Sequence, residues 1–168
     1  MPADASGARC KGFLWSITRI RRQQELAMPL LSKLRRRTNT AQDVARIALG
    51  ATLVFAGTSH LTFARKPFKA QVPPWMPLDT DIVVLASGVG EIALGTALLA
   101  APKEARQVVG CAAAGFFAAI FPGNIAQYQH HRNAFGLDTD QKRFTRLFFQ
   151  PALIAWALWS TGAVGPKR

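Results

Sequence analysis

Polar side chains that can bind a ligand or exchange a proton lie within or beside the apolar stretches of this chain. They are His60, Ser87, Glu91, Asn124, Arg146 and Gln150. Two pairs among them are spaced by four residues, so the members of each pair share one face of a helix. An acid inside an apolar segment is costly, and such residues usually mark a pathway, a proton site or a ligand contact. The set therefore predicts a polar site within an apolar protein.

The stretches that carry these residues are close to bilayer length. They run over 44–63, 82–101, 108–125 and 147–164, near the roughly 20 residues that a helix needs to cross the hydrocarbon core. Lipid offers no partner for an unpaired backbone N–H or C=O, so these segments must be helical. We therefore predict an all-α fold, an integral membrane antiparallel four-helix bundle. Residues 1–43 are assigned as a basic N-terminal tail and 165–168 as a C-terminal tail.

The distribution of charge predicts the orientation of this bundle. The net charge is +12, and fourteen of the 21 Lys and Arg residues would lie on the side of the two termini, against seven on the other side. By the positive-inside rule both termini face the cytoplasm, in the cytoplasmic (plasma) membrane. The lipid bilayer is then the main partner. No nucleic-acid partner is predicted, because no basic groove with interleaved aromatic residues accompanies the charge.

The N-terminal tail has three interpretations. Residues 13–20 place apolar side chains at helical spacing beside arginines, a pattern typical of an amphipathic helix on anionic lipid. An Arg-rich, acid-poor segment is also typical of a targeting sequence. The third interpretation, which we favour, takes Met28 as the start of translation. The two cysteines, Cys10 and Cys111, form no CxxC pair, so neither a thiol-oxidising site nor a zinc site is predicted.

The loop over 64–81 contains four prolines, which prevent it from being helical throughout. Trp75, in its middle, is predicted to cover the polar site. Alternating span directions put the polar residues in the outer half of the membrane, beneath this loop. At about 1.5 Å rise per residue, Glu91 lies about 13 Å and His60 about 5 Å below the outer boundary. A direct hydrogen bond between these two is therefore not expected, and a water, Ser87 or Gln150 is expected to bridge them.

Each polar residue also has a purely structural interpretation. His60 is one turn from the end of its span, where a side chain often caps a helix or meets water. Asn124 and Gln150 are typical of interhelical hydrogen bonds, and Arg146 of a side chain that reaches toward phosphate. For Glu91 the structural alternative is a protonated acid bonded to a backbone carbonyl. His130 and His131 are interpreted as solvated loop residues, and no metal site is predicted.

Four motifs in order along residues 41–165 resemble the DoxX-like family of membrane proteins. They are GTSH at 57–60, VPPWMP at 72–77, SGVGE at 87–91 and FPGNI at 121–125. Leu61 stands where the family often has Phe, and Gly123 where Ala is usual. The resemblance implies a multi-pass protein of the cytoplasmic membrane. Some relatives are described as the small subunit of a thiosulfate:quinone oxidoreductase, and others as members of membrane oxidoreductase or oxidative-stress assemblies.

Together these observations favour an accessory membrane subunit whose outer-leaflet pocket binds a small lipophilic molecule, with a quinone as the first candidate. Trp75 and Phe121 are expected to cover its ring. One interior histidine without a thiolate pair is not a ligand set for haem or an iron–sulfur cluster. Electron transfer would therefore need a soluble or membrane redox partner, and no catalytic activity is expected of the chain alone. The alternatives are a small proton-coupled transporter with Glu91 as the titrating group, and a purely structural scaffold.

Overall fold

The computed structural model describes residues 38–165, and the predictions made for 1–37 and 166–168 lie outside this range. The described residues form helices and no strand. The helices are α1 (Thr40–Leu61), α2 (Arg65–Lys69), α3 (Thr80–Ala100), α4 (Arg106–Gln129), α5 (Asp140–Leu147) and α6 (Phe149–Ser160). Three of them, α1, α3 and α4, are long and apolar enough to cross a membrane. The prediction of an all-α fold is confirmed for this part of the chain.

Side-chain caps begin several of these helices. Asn39 and Gln42 form a capping box at α1, in which each side chain bonds the backbone N–H of the other residue. The carboxylate of Asp79 accepts hydrogen bonds from the first turn of α3, and the hydroxyl of Thr139 accepts one from Lys142 in α5. Residues 40–43, assigned from the sequence to the tail, are therefore the first turn of α1.

Helices α1 and α3 pack most closely, because glycines face each other along their contact. A Cβ atom built on Gly57 would lie 2.5 Å from the carbonyl oxygen of Gly88, and one on Gly95 would lie 2.7 Å from that of Gly50. Small residues let two backbones approach in this way. The buried core continues from this contact to α4 and α6, through Leu49, Leu53, Leu98, Phe117 and Ala157.

One end of the molecule joins the start of α1 to the start of α4 and the end of α6. Asp43 of α1 accepts a hydrogen bond from Arg106 of α4 at 2.6 Å, and Gln42 donates to the carbonyl of Trp159 at 2.7 Å. Arg46, buried at the same end, donates to the last carbonyls of α3. The opposite end therefore brings together the end of α1, the start of α3 and the end of α4.

The structure differs from the sequence prediction mainly in the fourth apolar stretch. The predicted span 147–164 corresponds to α6, which has only 12 residues and is separated at Phe148 from the polar helix α5. Pro151 weakens the junction, because it has no N–H for the carbonyl of Leu147. Helix α6 ends at Ser160, where Gly162 has a φ of 72° and Ala163 N–H bonds the carbonyl of Leu158. This is the Schellman arrangement, which terminates helices.

Helix α4 is longer than predicted. The expected span ended at residue 125, with a bend or loosening at Pro122, whereas the helix continues through Pro122 to Gln129. A proline removes one backbone hydrogen bond, and the neighbouring turns of this helix remain formed. The extra turn matters for the site, since it carries Gln127, which holds the loop described below.

Candidate functional site

A cavity of about 180 Å³ lies at the end of the molecule where α1 ends and α3 begins. Six of the eight side chains predicted for the site line it: His60, Trp75, Ser87, Glu91, Asn124 and Arg146. They come from α1, the proline-rich loop, α3, α4 and α5. The remaining walls are mostly apolar and are formed by Phe68, Gln71, Val72, Pro73, Met76, Val83, Val84, Ala119, Ile120, Pro122 and Gly123.

His60 is held by one hydrogen bond and one aromatic contact. Its Nδ1 lies 3.1 Å from the hydroxyl oxygen of Ser87, and its ring packs against Phe68. Only 5% of the residue is exposed. The other ring nitrogen, Nε2, faces Glu91, with 3.7 Å between Nε2 and Oε2. This separation exceeds hydrogen-bonding distance, so no direct hydrogen bond joins the two side chains.

Several polar groups of the cavity lack a hydrogen-bond partner within the described residues. His60 Nε2 and Glu91 Oε2 are both buried and unpaired. Asn124 is 5% exposed, and its amide also has no partner in residues 38–165. Most buried polar groups in proteins are hydrogen-bonded, and an exception calls for a cause such as an absent ligand or water. These three groups line one shared cavity, which makes it a candidate site for a polar ligand group or a water.

Arg146 supplies the positive charge at the cavity. Its guanidinium lies 5.8 Å from the centroid of the Phe149 ring, a cation–π contact, and its charge acts on Glu91. It forms no ion pair with another residue of the described range. A cation, an acid, an imidazole and an amide thus surround a mainly apolar volume, as in sites that hold a small molecule by its polar groups.

A polar network holds the proline-rich loop over the cavity. The Gln71 amide donates to Gln127 of α4 at 3.1 Å, and Arg132 donates to the carbonyl of Val72 at 2.9 Å. Gly123 lets the loop lie directly on α4, because a Cβ there would be 2.7 Å from the carbonyl oxygen of Gln71. The contacts of Gln71, Val72 and Gly123 that hold this loop were not predicted from the sequence. The residues that form these contacts are polar or small, and no sequence pattern indicates which of them contact each other.

The exposed members of the lining show where the cavity opens. Trp75 is 67% exposed, and Ala119 and Pro122 of α4 are also exposed or partly exposed. Val83 and Ser87, on the facing side of α3, are half-buried. The cavity therefore opens sideways between α3 and α4, beside Trp75.

Two residues that were expected at the site lie elsewhere. Gln150 does not line the cavity, and its amide donates to the carbonyl of Phe117 at 2.9 Å. Phe121, expected to cover a ring together with Trp75, is also absent from the lining, and its neighbours Ile120 and Pro122 contribute instead. The helical rotation of about 100° per residue accounts for this exchange, because it turns adjacent side chains to different faces.

Gln150→Leu tests whether Gln150 has only the structural role seen here. The substitution removes a buried hydrogen bond that the Phe117 carbonyl accepts in addition to the bond within its helix, so we expect a loss of about 0.5–1.5 kcal/mol in stability. Ligand retention should stay at the wild-type level. Thermal unfolding in detergent and quantification of co-purified ligand measure both effects. Loss of ligand from a folded variant would place Gln150 in the site.

Charged residues join the first turn of α5 to the loop before it. The carboxylate of Asp140 accepts a hydrogen bond from His131 at 2.7 Å and another from Arg143. These bonds, that from His131 above all, hold the pKa of Asp140 below its ordinary value. The ionised Asp140 therefore stabilises the fold fully at a pH above the ordinary carboxyl pKa. This stabilisation is lost as the pH falls through the lowered pKa of Asp140.

These features define an all-helical protein with three helices able to cross a membrane and an internal cavity of mixed polar and apolar character. Residues 49–161 match the model of a family described as a domain of unknown function, DUF8561. The chain belongs to this family, and the matched segment includes every residue that lines the cavity. No curated protein and no solved structure matches the chain.

Proposed function

We propose that the chain is a multi-pass protein of the cytoplasmic membrane, with α1, α3, α4 and the shorter stretch 147–164 as an antiparallel four-helix bundle. Large apolar side chains on the outside of the long helices support this: Phe55 is 68% exposed, Val89 58% and Val108 71%. Apolar surface of this extent is unfavourable in water. Helix α5, which carries Lys142, Arg143 and Arg146, then lies at the membrane surface before the fourth crossing.

The proposed topology places both termini in the cytoplasm and Trp75 and His130 outside. It rests on the excess of basic residues on the side of the termini. A reporter that is active only in the cytoplasm should therefore be active when fused after Arg168, and a periplasmic reporter at the same point should be silent. The reverse pattern would overturn the orientation.

We further propose that the cavity binds the polar head of a small lipophilic molecule, with a quinone as the first candidate. The observation that carries this proposal is that two buried unpaired atoms, His60 Nε2 and Glu91 Oε2, line one mainly apolar space together with Asn124, whose amide has no partner in the described residues. A cavity of about 150 Å³ holds one benzene. The present volume of about 180 Å³ thus suits a single ring, with its alkyl tail leaving between α3 and α4.

In this proposal the protein is an accessory subunit of a membrane redox system and has no catalytic activity on its own. The resemblance to DoxX-like proteins supports it, because the motifs that carry the resemblance supply much of the cavity lining, including His60, Trp75, Glu91 and Asn124. A soluble or membrane partner would then carry the redox centre. The DUF8561 match covers the same helices but carries no functional assignment, so the proposal rests on the motifs and the cavity.

Co-purification tests this function. The full chain, extracted in mild detergent from a quinone-producing host, should retain quinone in near-stoichiometric amount when it is extracted with organic solvent and analysed by chromatography. Asn124→Leu removes the amide and fills part of the cavity, so it should lose the quinone. Thr58→Val is the matched control, because Thr58 is exposed on α1 and bonds only its own helix. Quinone retention no higher than in an unrelated membrane protein would exclude the proposal.

A small proton-coupled transporter is the second candidate, and Glu91 is the observation that favours it. Its carboxyl group lies inside a potential span, has no hydrogen bond in the described structure and interacts electrostatically with Arg146. Such a group is suited to gain and lose a proton as a substrate passes. Substrate-dependent proton uptake into liposomes that contain the protein would support this class. A protein that shows neither proton uptake nor ligand binding would be a structural scaffold.

A further inference from the structure

We propose that the cavity selects a ligand ring that carries a free hydroxyl group, a hydroquinone or a phenol, over the corresponding quinone. This inference rests on the proposed function, in which the cavity binds a single lipophilic ring. It concerns the oxidation state of that ring and follows from the hydrogen-bond donors and acceptors that surround it.

The position of the Ser87 hydroxyl proton determines which ring nitrogen of His60 is a hydrogen-bond donor and which is an acceptor. The Ser87 hydroxyl oxygen lies 2.9 Å from the carbonyl oxygen of Val84 and 3.1 Å from Nδ1 of His60. A carbonyl cannot donate, and we therefore assign the single hydroxyl proton of Ser87 to the contact with Val84. His60 Nδ1 must then be the donor to Ser87. In a neutral imidazole the other nitrogen, Nε2, is consequently a bare acceptor.

This acceptor points into the cavity without a partner. His60 Nε2 and Glu91 Oε2 are both buried and unpaired, and 3.7 Å separates them. A ligand hydroxyl beside them donates to Nε2 and at the same time accepts a hydrogen bond from the Asn124 amide. If Glu91 is ionised it is a second acceptor for such a proton, and if it is protonated it donates to the same ligand oxygen.

A quinone carbonyl satisfies this site less well. It can accept from Asn124, but it has no proton for Nε2, which stays buried and unpaired. Leaving a buried acceptor unpaired typically costs a factor of about ten or more in affinity. The hydroquinone should therefore bind at least about tenfold more tightly than the quinone with the same ring and tail. An imidazolium at His60 would give the opposite preference, because Nε2 would then be a donor.

Three matched compounds test the inference on the full chain in lipid nanodiscs under argon. They are a short-tailed 1,4-benzohydroquinone, its 1,4-benzoquinone, and the dimethyl ether of the hydroquinone, which keeps the ring but has only acceptors and is not oxidised. Equilibrium dialysis measures each dissociation constant. We expect the hydroquinone to bind about tenfold more tightly than both others.

Ser87→Ala tests the proton assignment. It removes the acceptor of the Nδ1 proton, so the imidazole is free to carry its proton on Nε2, and the preference for hydroquinone should fall toward unity while the protein stays folded. Ser59→Ala is the control, because Ser59 makes the same kind of bond three residues back in its helix, to Ala56, but does not line the cavity. It should keep the wild-type ratio.

The outcomes separate this inference from the proposed function. Equal affinities, or tighter binding of the quinone or the dimethyl ether, would overturn the inference and leave the ligand cavity standing. A wild-type ratio in folded Ser87→Ala would overturn the role given to Ser87. Binding of none of the three rings would overturn the proposed function itself.

Discussion

Gly57→Leu is expected to prevent the chain from accumulating as a folded protein. A Cβ at this position would lie 2.5 Å from the carbonyl oxygen of Gly88 and 2.9 Å from the backbone nitrogen of Ile92, so backbone atoms of α3 would have to move. Overpacking of a core costs about 1–3 kcal/mol when side chains can adjust. Here two backbones must separate, and the loss should be larger. Detergent-extracted yield and melting temperature measure it.

Gly115→Leu is the matched control for this substitution. Gly115 lies in α4, another potential span, and apart from its chain neighbours and the backbone of its own helix, a Cβ there would meet no atom within 4 Å. Its effect should stay within about 0.5 kcal/mol. Gly57→Ala should fall between the two, with a loss of about 1–3 kcal/mol. If Gly57→Leu and Gly115→Leu have equal, mild effects, α1 and α3 do not pack through this face.

The inward face of α1 can be predicted from the sequence, because helical periodicity alone defines it. Gly50, Leu53, Gly57 and His60 recur at i, i+3, i+7 and i+10, and the structure buries all four. The same reasoning placed Ser87 and Glu91 on one face of α3, where both line the cavity. Local caps such as Asp79 were likewise predictable, since a cap depends on residues within one turn.

Other parts of the site depend on contacts that the sequence does not encode locally. The proline-rich loop is held by hydrogen bonds from Gln71 to Gln127 and from Arg132 to Val72, and the members of each pair lie far apart along the chain. The apolar pattern also could not show that α6 begins at Phe149 and ends at Ser160, because the residues on either side of these ends, Leu147 and Val164 among them, are apolar as well. Gln150 was grouped with Arg146 by spacing, yet α5 ends between them at Leu147. The two residues lie on different helices, so their spacing of four did not put both side chains at the cavity.

Glu91→Gln should separate a functional from a structural role for this acid. The carboxyl group has no hydrogen bond within the described residues, so its replacement by an isosteric amide should change stability by no more than about 0.5 kcal/mol. Ligand affinity should fall about 10- to 100-fold, because a hydrogen bond to an ionisable group is lost and the new amide can itself occupy His60 Nε2. Ligand retention and melting temperature are measured on the same preparation.

Glu91→Leu completes the comparison. It should bind ligand no better than Glu91→Gln, and it should fold at least as well as wild type, because an unpaired buried polar group is unfavourable in an apolar setting. Glu104→Gln, the same change in the turn between α3 and α4, should leave affinity unchanged. A structural role predicts the opposite ordering, in which Glu91→Gln behaves as wild type and Glu91→Leu loses about 1–3 kcal/mol. A Glu91→Gln protein that binds ligand normally would rule out proton exchange at this position.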